Sequence, residues 1–168
     1  MMNHQALREK FKPEKIKVLF IAEAPPENDT FFYSAKGGFY NFTKQVFIEL
    51  FEDEIKKSTD FLHFFQYKSY FLDDLCNETK TFKEIRSNKK YYIKELEGRL
   101  IAYNPQAIII TLKRINGLIH EAIKQSNISI NPELIFTLPF PGNGHQNDYM
   151  SGLRIALNDL ISKNILFY

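Results

Sequence analysis

Residues 16–26, IKVLFIAEAPP, constrain the fold of this chain more than any other segment. An apolar run of strand length, rich in Val, Ile and Phe, breaks off at a carboxylate, Glu23, and two prolines follow almost at once. Such side chains favour a pleated strand, and a run this continuous, without alternation, reads as a strand buried on both faces. A strand inside a sheet cannot continue through Pro25 and Pro26. Glu23 is therefore presented at the carboxyl end of a buried strand, where ligands bind in open α/β sheets.

The remainder alternates between strand and helix. A polar, aromatic-studded loop over 27–38 leads to a helix predicted over about 39–57, with Phe42, Val46, Phe47 and Leu50 at helical spacing. A second strand falls within 69–76, and residues 77–88 read as polar and irregular. A helix over 91–103 carries Ile93, Leu96 and Leu100 on one face and ends at Asn104-Pro105. Residues 106–112 form a third buried strand, about 114–125 a helix, and 134–138 a fourth strand. Residues 139–145, PFPGNGH, are too rich in Pro and Gly for regular structure. The last helix covers about 149–162, with Leu153, Ala156, Leu157, Leu160 and Ile161 as its apolar stripe.

This alternation predicts one α/β domain, a three-layer α/β/α arrangement around a central four-stranded parallel sheet. The loops after the first and fourth strands then open on the same side, so Glu23 and loop 139–145 are expected to share one cleft.

Composition sets the outer bounds. At 168 residues the chain suits a single domain with a substantial core. A formal net charge of +2 neither demands a nucleic-acid partner nor excludes one, since a basic patch can sit inside a near-neutral total. Cys76 is the only cysteine, which rules out an intramolecular disulfide, a Cys-ligated cluster or a Cys-type structural zinc site within one chain. His63 and His120 have no ligand-spaced partners, so no metal or cofactor is expected. Residues 1–11 mix both charges, unlike a secretory signal, and no run approaches the roughly 20 apolar residues needed to span a bilayer. The expectation is a soluble, cytoplasmic monomer with no membrane partner.

Four segments, in this order, resemble the uracil-DNA glycosylase superfamily. Residues 18–25, VLFIAEAP, are similar to the strand and Gly-Glu-Ala-Pro-Gly loop of its thermophile-type branch. Phe31-Phe32-Tyr33, followed by residues 38–44, GFYNFTK, are similar to the pocket aromatic and following helix of the mismatch-specific branch. Residues 104–112, NPQAIIITL, are similar to the Pro-x-x-Ile-Val-x-Leu-Gly strand. Residues 138–142, LPFPG, stand in the place of the closing His-Pro-Ser-type motif. The resemblance covers residues 16–162. Departures are local. Ala22 and Pro26 replace glycines around Glu23, and Lys113 stands where the third motif has Gly. Leu138 or Phe140 takes the place of the closing His, and the cluster-binding cysteines of the thermophile-type branch are absent.

The resemblance implies a hydrolase that excises uracil or a related damaged base from DNA. Breaking the C–N glycosidic bond leaves oxocarbenium-like positive charge on the sugar and negative charge on the departing base. A carboxylate near the sugar can position water and stabilise the cation. Glu23 is the matched catalytic residue, within a loop that also contains Ala24 and Pro25; otherwise it is a carboxylate bonding loop amides. Pro141, Gly142, Asn143 and His145 would line the site from the closing loop; His145, Asn143 and the backbone amides of Gly142 and Gly144 would donate hydrogen bonds to the leaving base, with His145 alternatively a solvent-exposed loop residue. A flipped base needs an aromatic platform; Tyr33 matches the family's position best and Phe39 second, and either could instead pack the core. Asp74 ends the second strand, where the family places a base-recognising polar residue. It is adjacent to Asp73, and the pleat allows only one of the two to face a pocket. Phosphates could sit near Ser151 at the start of the last helix, with Arg154 one turn inward.

Two other functions fit the same fold: hydrolysis of a small nucleoside-like substrate, or non-catalytic nucleic-acid binding through a decayed pocket.

Overall fold

The computed structural model describes residues 3–166. At its centre lies a four-stranded parallel sheet of β1 (Val18–Ala22), β2 (Tyr70–Asp74), β3 (Ala107–Ile110) and β4 (Ile135–Thr137), in the order β2-β1-β3-β4. The described helices are α1 (His4–Lys10), α2 (Gly37–Lys56), α3 (Phe61–Tyr67), α4 (Phe82–Ser87), α5 (Lys89–Tyr103), α6 (Asn116–Ser126) and α7 (Gln146–Ser162). Helices α2 and α7 pack on one another, as do α5 and α6, and the sheet lies between the layers. The α/β/α arrangement expected from the alternating pattern is therefore present.

Burial explains the apolar runs. Every residue of β1, β2 and β3 is buried, and Phe20 is aligned between Leu72 and Ile109 in the ladder. Such strands have no solvent face to require alternation. From β1 the chain moves outward to β2 and then returns to place β3 on the other side of β1. The topological switch point thus falls between β1 and β3, and a crevice forms there at the carboxyl ends.

The many phenylalanines build one layer of the core. Phe47 meets the rings of Phe20, Phe51, Phe61, Phe64, Phe65 and Tyr70, mostly tilted or edge-on. This suits rings with negative faces and positive edges.

The observed elements differ from the sequence-based ones in several places. Residues 77–88 are not irregular throughout: they contain α4, started by a capping box in which Thr81 and Glu84 satisfy each other's backbone amides. Helices α1 and α3 were not anticipated. β4 is shorter than expected and partly exposed, as an edge strand can be. α7 begins three residues earlier, at Gln146.

Tyr33 is corrected from a pocket position to a core one. It is 2 % exposed, stacks on Phe11 and packs on Phe71. Its hydroxyl donates to the Leu72 carbonyl at 3.0 Å and accepts from the Leu72 amide at 2.7 Å. β2 is the other edge strand, and an edge leaves backbone groups without ladder partners. Tyr33 covers that edge and supplies the missing partners with a single polar atom. Burial pushes its hydroxyl pKa well above the usual value.

Two glycines permit close approaches that shape the site. Gly37 opens α2 at φ +85°, where a Cβ would meet the Thr30 side chain at 2.7 Å. Gly152 lets α7 lie against Leu138, whose side chain would come within 2.8 Å of an added Cβ. No helix among the described residues is long and apolar enough to cross a membrane.

Candidate active-site cleft

A cleft of about 680 Å³ opens at the carboxyl ends of the strands. Glu23 enters it directly after β1, and residues 139–143 with His145 close it from the loop after β4. The convergence expected from the strand pattern is found. Phe31, Phe32, Phe39 and Phe140 are among its lining residues, with Ala22, Leu72, Asp74 and Leu112. Phe39 is half-buried, 5.5 Å from the Phe32 ring and 5.4 Å from the Phe140 ring. Phe140, 40 % exposed between two prolines, forms an aromatic rim.

The carboxylate of Glu23 is gripped by Arg114. Nε donates to Oε2 at 2.6 Å and Nη2 to Oε1 at 2.5 Å, a two-point fork. Arg114 lies in the 3₁₀ turn Lys113–Ile115, four residues beyond the end of β3. The pair therefore spans the β1–β3 switch point. The Glu23 side chain is largely covered, whereas Arg114 is 54 % exposed and lies 4.9 Å from the centre of the Phe82 ring. A carboxylate has about four lone-pair sites. The fork occupies two, so each oxygen can still accept a hydrogen bond from water or a sugar hydroxyl.

Beneath the cleft lies a buried charge network. Asp73 and Asp74 close β2 with their side chains in different surroundings, as the pleat requires. Asp73 receives Arg99 and the Tyr103 hydroxyl, the latter at 3.1 Å. Asp74 reaches the cleft, and its Oδ2 accepts from Arg8 Nη2 at 2.5 Å. Arg8 comes from α1, is 1 % exposed, and also lies 3.3 Å from Asp73 Oδ1. Arg99 further donates to the carbonyls of Asp74 and Leu75 at 2.8 and 3.0 Å, fixing the strand end. Burial raises the Asp74 pKa from 3.8 to about 6; the Asp73 charge adds to the rise, while Arg8 and Arg99 oppose it.

One Asp74 oxygen remains free. Oδ1 accepts no hydrogen bond from any described residue. Among the described residues, Arg8 Nε and Tyr70 Oη are the buried side-chain polar atoms lacking a hydrogen-bond partner. Asp74 Oδ1 is not one of these two, and Asp74 is among the residues that line the cleft.

Loop 139–145 is set by backbone geometry. Asn143 and Gly144 adopt positive φ, 53° and 89°. The Gly142 amide donates to the Phe140 carbonyl at 2.8 Å and the His145 amide to the Gly142 carbonyl at 3.1 Å. Gly142 is therefore not a free donor. The Asn143 and Gly144 amides make no hydrogen bond to described residues and remain available. His145 is exposed at the mouth, its Nδ1 3.5 Å from Asp148 Oδ2.

The cleft thus gathers Glu23, Ala24, Phe39, Asp74, Pro141, Gly142, Asn143 and His145 from the expected residues. Tyr33 and Pro25 do not line it. Pro25 is buried, and it is the neighbours of Tyr33, Phe31 and Phe32, that line the cleft. Ser151 and Arg154 also lie outside it. Ser151 is exposed on α7, and Arg154 holds Glu49 of α2 at 2.8 and 2.7 Å, which ties two helices together. Arg114 and Arg8 were missed by sequence reasoning. A partner for Glu23 was foreseeable only in that Arg114 follows a strand ending on the same edge.

Among the described residues no group of three His, Cys, Asp or Glu side chains is placed to hold a metal ion. No protein-family model matches the chain, and no curated protein matches it.

Proposed function

We propose that this protein is a divergent DNA base-excision glycosylase of the uracil-DNA glycosylase type, hydrolysing the N-glycosidic bond of uracil or a related damaged base. One observation carries the proposal: a carboxylate at the end of the first strand and the Pro/Gly-rich closing loop meet in one aromatic-lined cleft at the switch point of a parallel sheet. The segments that resemble the superfamily supply those two walls.

In this mechanism the target nucleotide leaves the stack and its base lies against Phe39 and the Phe31–Phe32 wall. Glu23, oriented by Arg114, faces the sugar. It positions the attacking water and stabilises the oxocarbenium-like charge. Negative charge developing on the base meets the free amide of Asn143, with the His145 ring beside it. These donors are fixed before the reaction begins, so little reorganisation is required during it.

The test is an excision assay on oligonucleotides carrying uracil, hypoxanthine, xanthine or a mismatch, followed by alkaline strand cleavage. Product from at least one of them is expected. No product from any would sink the proposal. A second reading, hydrolysis of a small nucleoside-like substrate, draws on the three carboxylates, Glu23, Asp74 and Asp148, that line the cleft. Release of base from free nucleosides without excision from oligonucleotides would select it.

A further inference from the structure

Outside the cleft, unpaired positive charge collects in one place. Residues 80–90 hold five cations, Lys80, Lys83, Arg86, Lys89 and Lys90, against one acid, Glu84. That acid is already occupied: its carboxylate accepts from the Thr81 amide and hydroxyl, both at 2.8 Å, as the cap of α4. Lys80 has a partner in Glu78, at 3.7 Å. Lys83, Arg86, Lys89 and Lys90 are exposed and have no acidic partner among the described residues, and the same holds for Lys113. Elsewhere many cations are paired: Arg154 with Glu49, Lys163 with Asp159 and Glu133, Lys56 with Glu52.

This basic corner is physically joined to the cleft. The Phe82 ring lies under two guanidiniums, Arg86 at 5.9 Å and Arg114 at 4.9 Å. Arg114 is the residue that grips Glu23, and Lys113 beside it also lines the cleft. A recess lined by Phe82, Lys83, Arg86 and Ser87 lies on the outer side. Like charges left unpaired and close together repel in the free protein, and a polyanion that replaces their counterions relieves this.

We propose that the α4–α5 corner, with Lys113, is the surface that holds the phosphodiester backbone of a nucleic-acid strand beside the cleft. It rests on the proposed action on a nucleobase, and it names where the rest of the polymer lies. A nucleic acid fits better than an acidic protein segment. The cations flank a partly exposed aromatic ring of the kind on which bases stack, and they lead directly to a cleft with aromatic walls. Arg114 links the two, so backbone phosphates meet the cations while one nucleotide turns into the cleft with its sugar toward Glu23.

The test is fluorescence anisotropy of a labelled single-stranded oligonucleotide against the full chain, between about 50 and 200 mM salt. The wild type is compared with the triple variant Lys83→Gln, Arg86→Gln, Lys113→Gln, whose positions are all exposed; thermal unfolding followed by circular dichroism establishes that it folds. For the wild type, log K falls linearly with log salt. In the triple variant the slope is shallower by about 2, at roughly 0.7 for each lost phosphate contact, and affinity at low salt falls about tenfold or more. An unchanged slope in a folded variant overturns the proposal, and if the variant fails to fold, the single variant Lys83→Gln, expected to lose about 0.7 of slope, decides in its place. Displacement of the oligonucleotide by polyglutamate at equal charge concentration overturns the nucleic-acid assignment. Salt-dependent binding through this corner without excision of any base sinks the glycosylase function and leaves the surface standing. Excision by a triple variant that keeps the wild-type slope sinks the surface alone.

Discussion

Arg114 holds Glu23 by two parallel hydrogen bonds, 2.6 and 2.5 Å long, across the switch point of the sheet. The two residues come from the loops after β1 and β3, strands that pair directly, so the sheet itself brings them together. The fork limits the carboxylate to one orientation and keeps its remaining lone pairs toward the cleft. In the proposed reaction Glu23 touches the reacting atoms, whereas Arg114 is a positioning residue. Glu23→Gln is expected to lower the excision rate by at least ~10²-fold with oligonucleotide affinity largely kept. Arg114→Lys keeps the charge but not the planar fork; kcat should fall by about tenfold or more with little change in KM. Wild-type rates in Glu23→Gln would remove Glu23 from the mechanism. An Arg114→Lys change confined to KM would show that Arg114 binds substrate and does not position Glu23.

Tyr33 makes a prediction about stability and none about binding. Its hydroxyl satisfies both backbone groups of Leu72 inside the protein. Tyr33→Phe leaves that buried amide without its partner, at a cost of about 1–3 kcal/mol. Tyr33→Ala also removes a ring packed on Phe11 and Phe71, and should cost about 3–5 kcal/mol. Urea unfolding measures both. A Tyr33→Phe loss under about 0.5 kcal/mol, the range of an ordinary surface substitution, would mean that the edge of β2 does not depend on this hydroxyl.

Asp74 links pH to folding. Its pKa is raised from 3.8 to about 6 in the folded protein, burial being the largest cause. A raised carboxyl pKa means that the folded state holds the proton more tightly than the unfolded state. The resulting stabilisation is fully present below the unfolded pKa and is lost as pH rises through about 6. Asp29, Asp60 and Glu84 have lowered pKa values and shift stability in the opposite direction, so a difference against Asp74→Asn isolates the effect. From pH 4 to pH 7 the wild type should lose stability relative to Asp74→Asn, by about 1.4 kcal/mol for each unit of raised pKa. Denaturant melts across that interval check it. A wild type that gains on the variant as pH rises would mean that the Arg8 and Arg99 charges outweigh the burial of Asp74.

The chain displays its sheet more openly than its site. Residues 18–22 and 107–110 are buried on every side, so composition alone marks them as strands. The prolines and glycines of 139–145 mark a loop for equally local reasons. Helix α3 buries Phe61, Leu62, Phe64 and Phe65 and turns His63, Gln66 and Tyr67 outward, but its seven residues are too few for that helical period to stand out. Helix α1 is seven residues long and mostly polar, and its one buried residue is an arginine. Arg8 meets Asp74 across 66 residues and Arg114 meets Glu23 across 91. No local pattern encodes pairings of that range. Glu23 was legible because a chain break in hydrophobicity exposes it; Arg114 became legible only once the strand order was known. Tyr33 and Phe39 were ranked in the wrong order as cleft residues, because the adjacent aromatics 31–33 give no sign of which ring turns toward the sheet edge.

The free Asp74 oxygen predicts which base edge the cleft prefers. Oδ2 is committed to Arg8, so Oδ1 is the oxygen left for a ligand in the cleft that Asp74 lines, and an ionised carboxylate can only accept hydrogen bonds. A base presenting an exocyclic amine there pairs with it. Uracil and hypoxanthine carry a ring N–H beside their carbonyls and can donate it as well, whereas an edge that presents only acceptors leaves a buried polar group unsatisfied, at about 1–3 kcal/mol. 1-Methyluracil, whose N3–H is free, should therefore bind the full chain about tenfold or more tightly than 1,3-dimethyluracil, whose N3 is blocked, at pH 8, where Asp74 is ionised. Asp74→Asn supplies both a donor and an acceptor and should narrow or reverse the difference. Titration calorimetry with the free bases measures it in the wild type without relying on the variant. 1,3-Dimethyluracil binding as tightly as 1-methyluracil at pH 8 would mean that Asp74 serves only to hold Arg8.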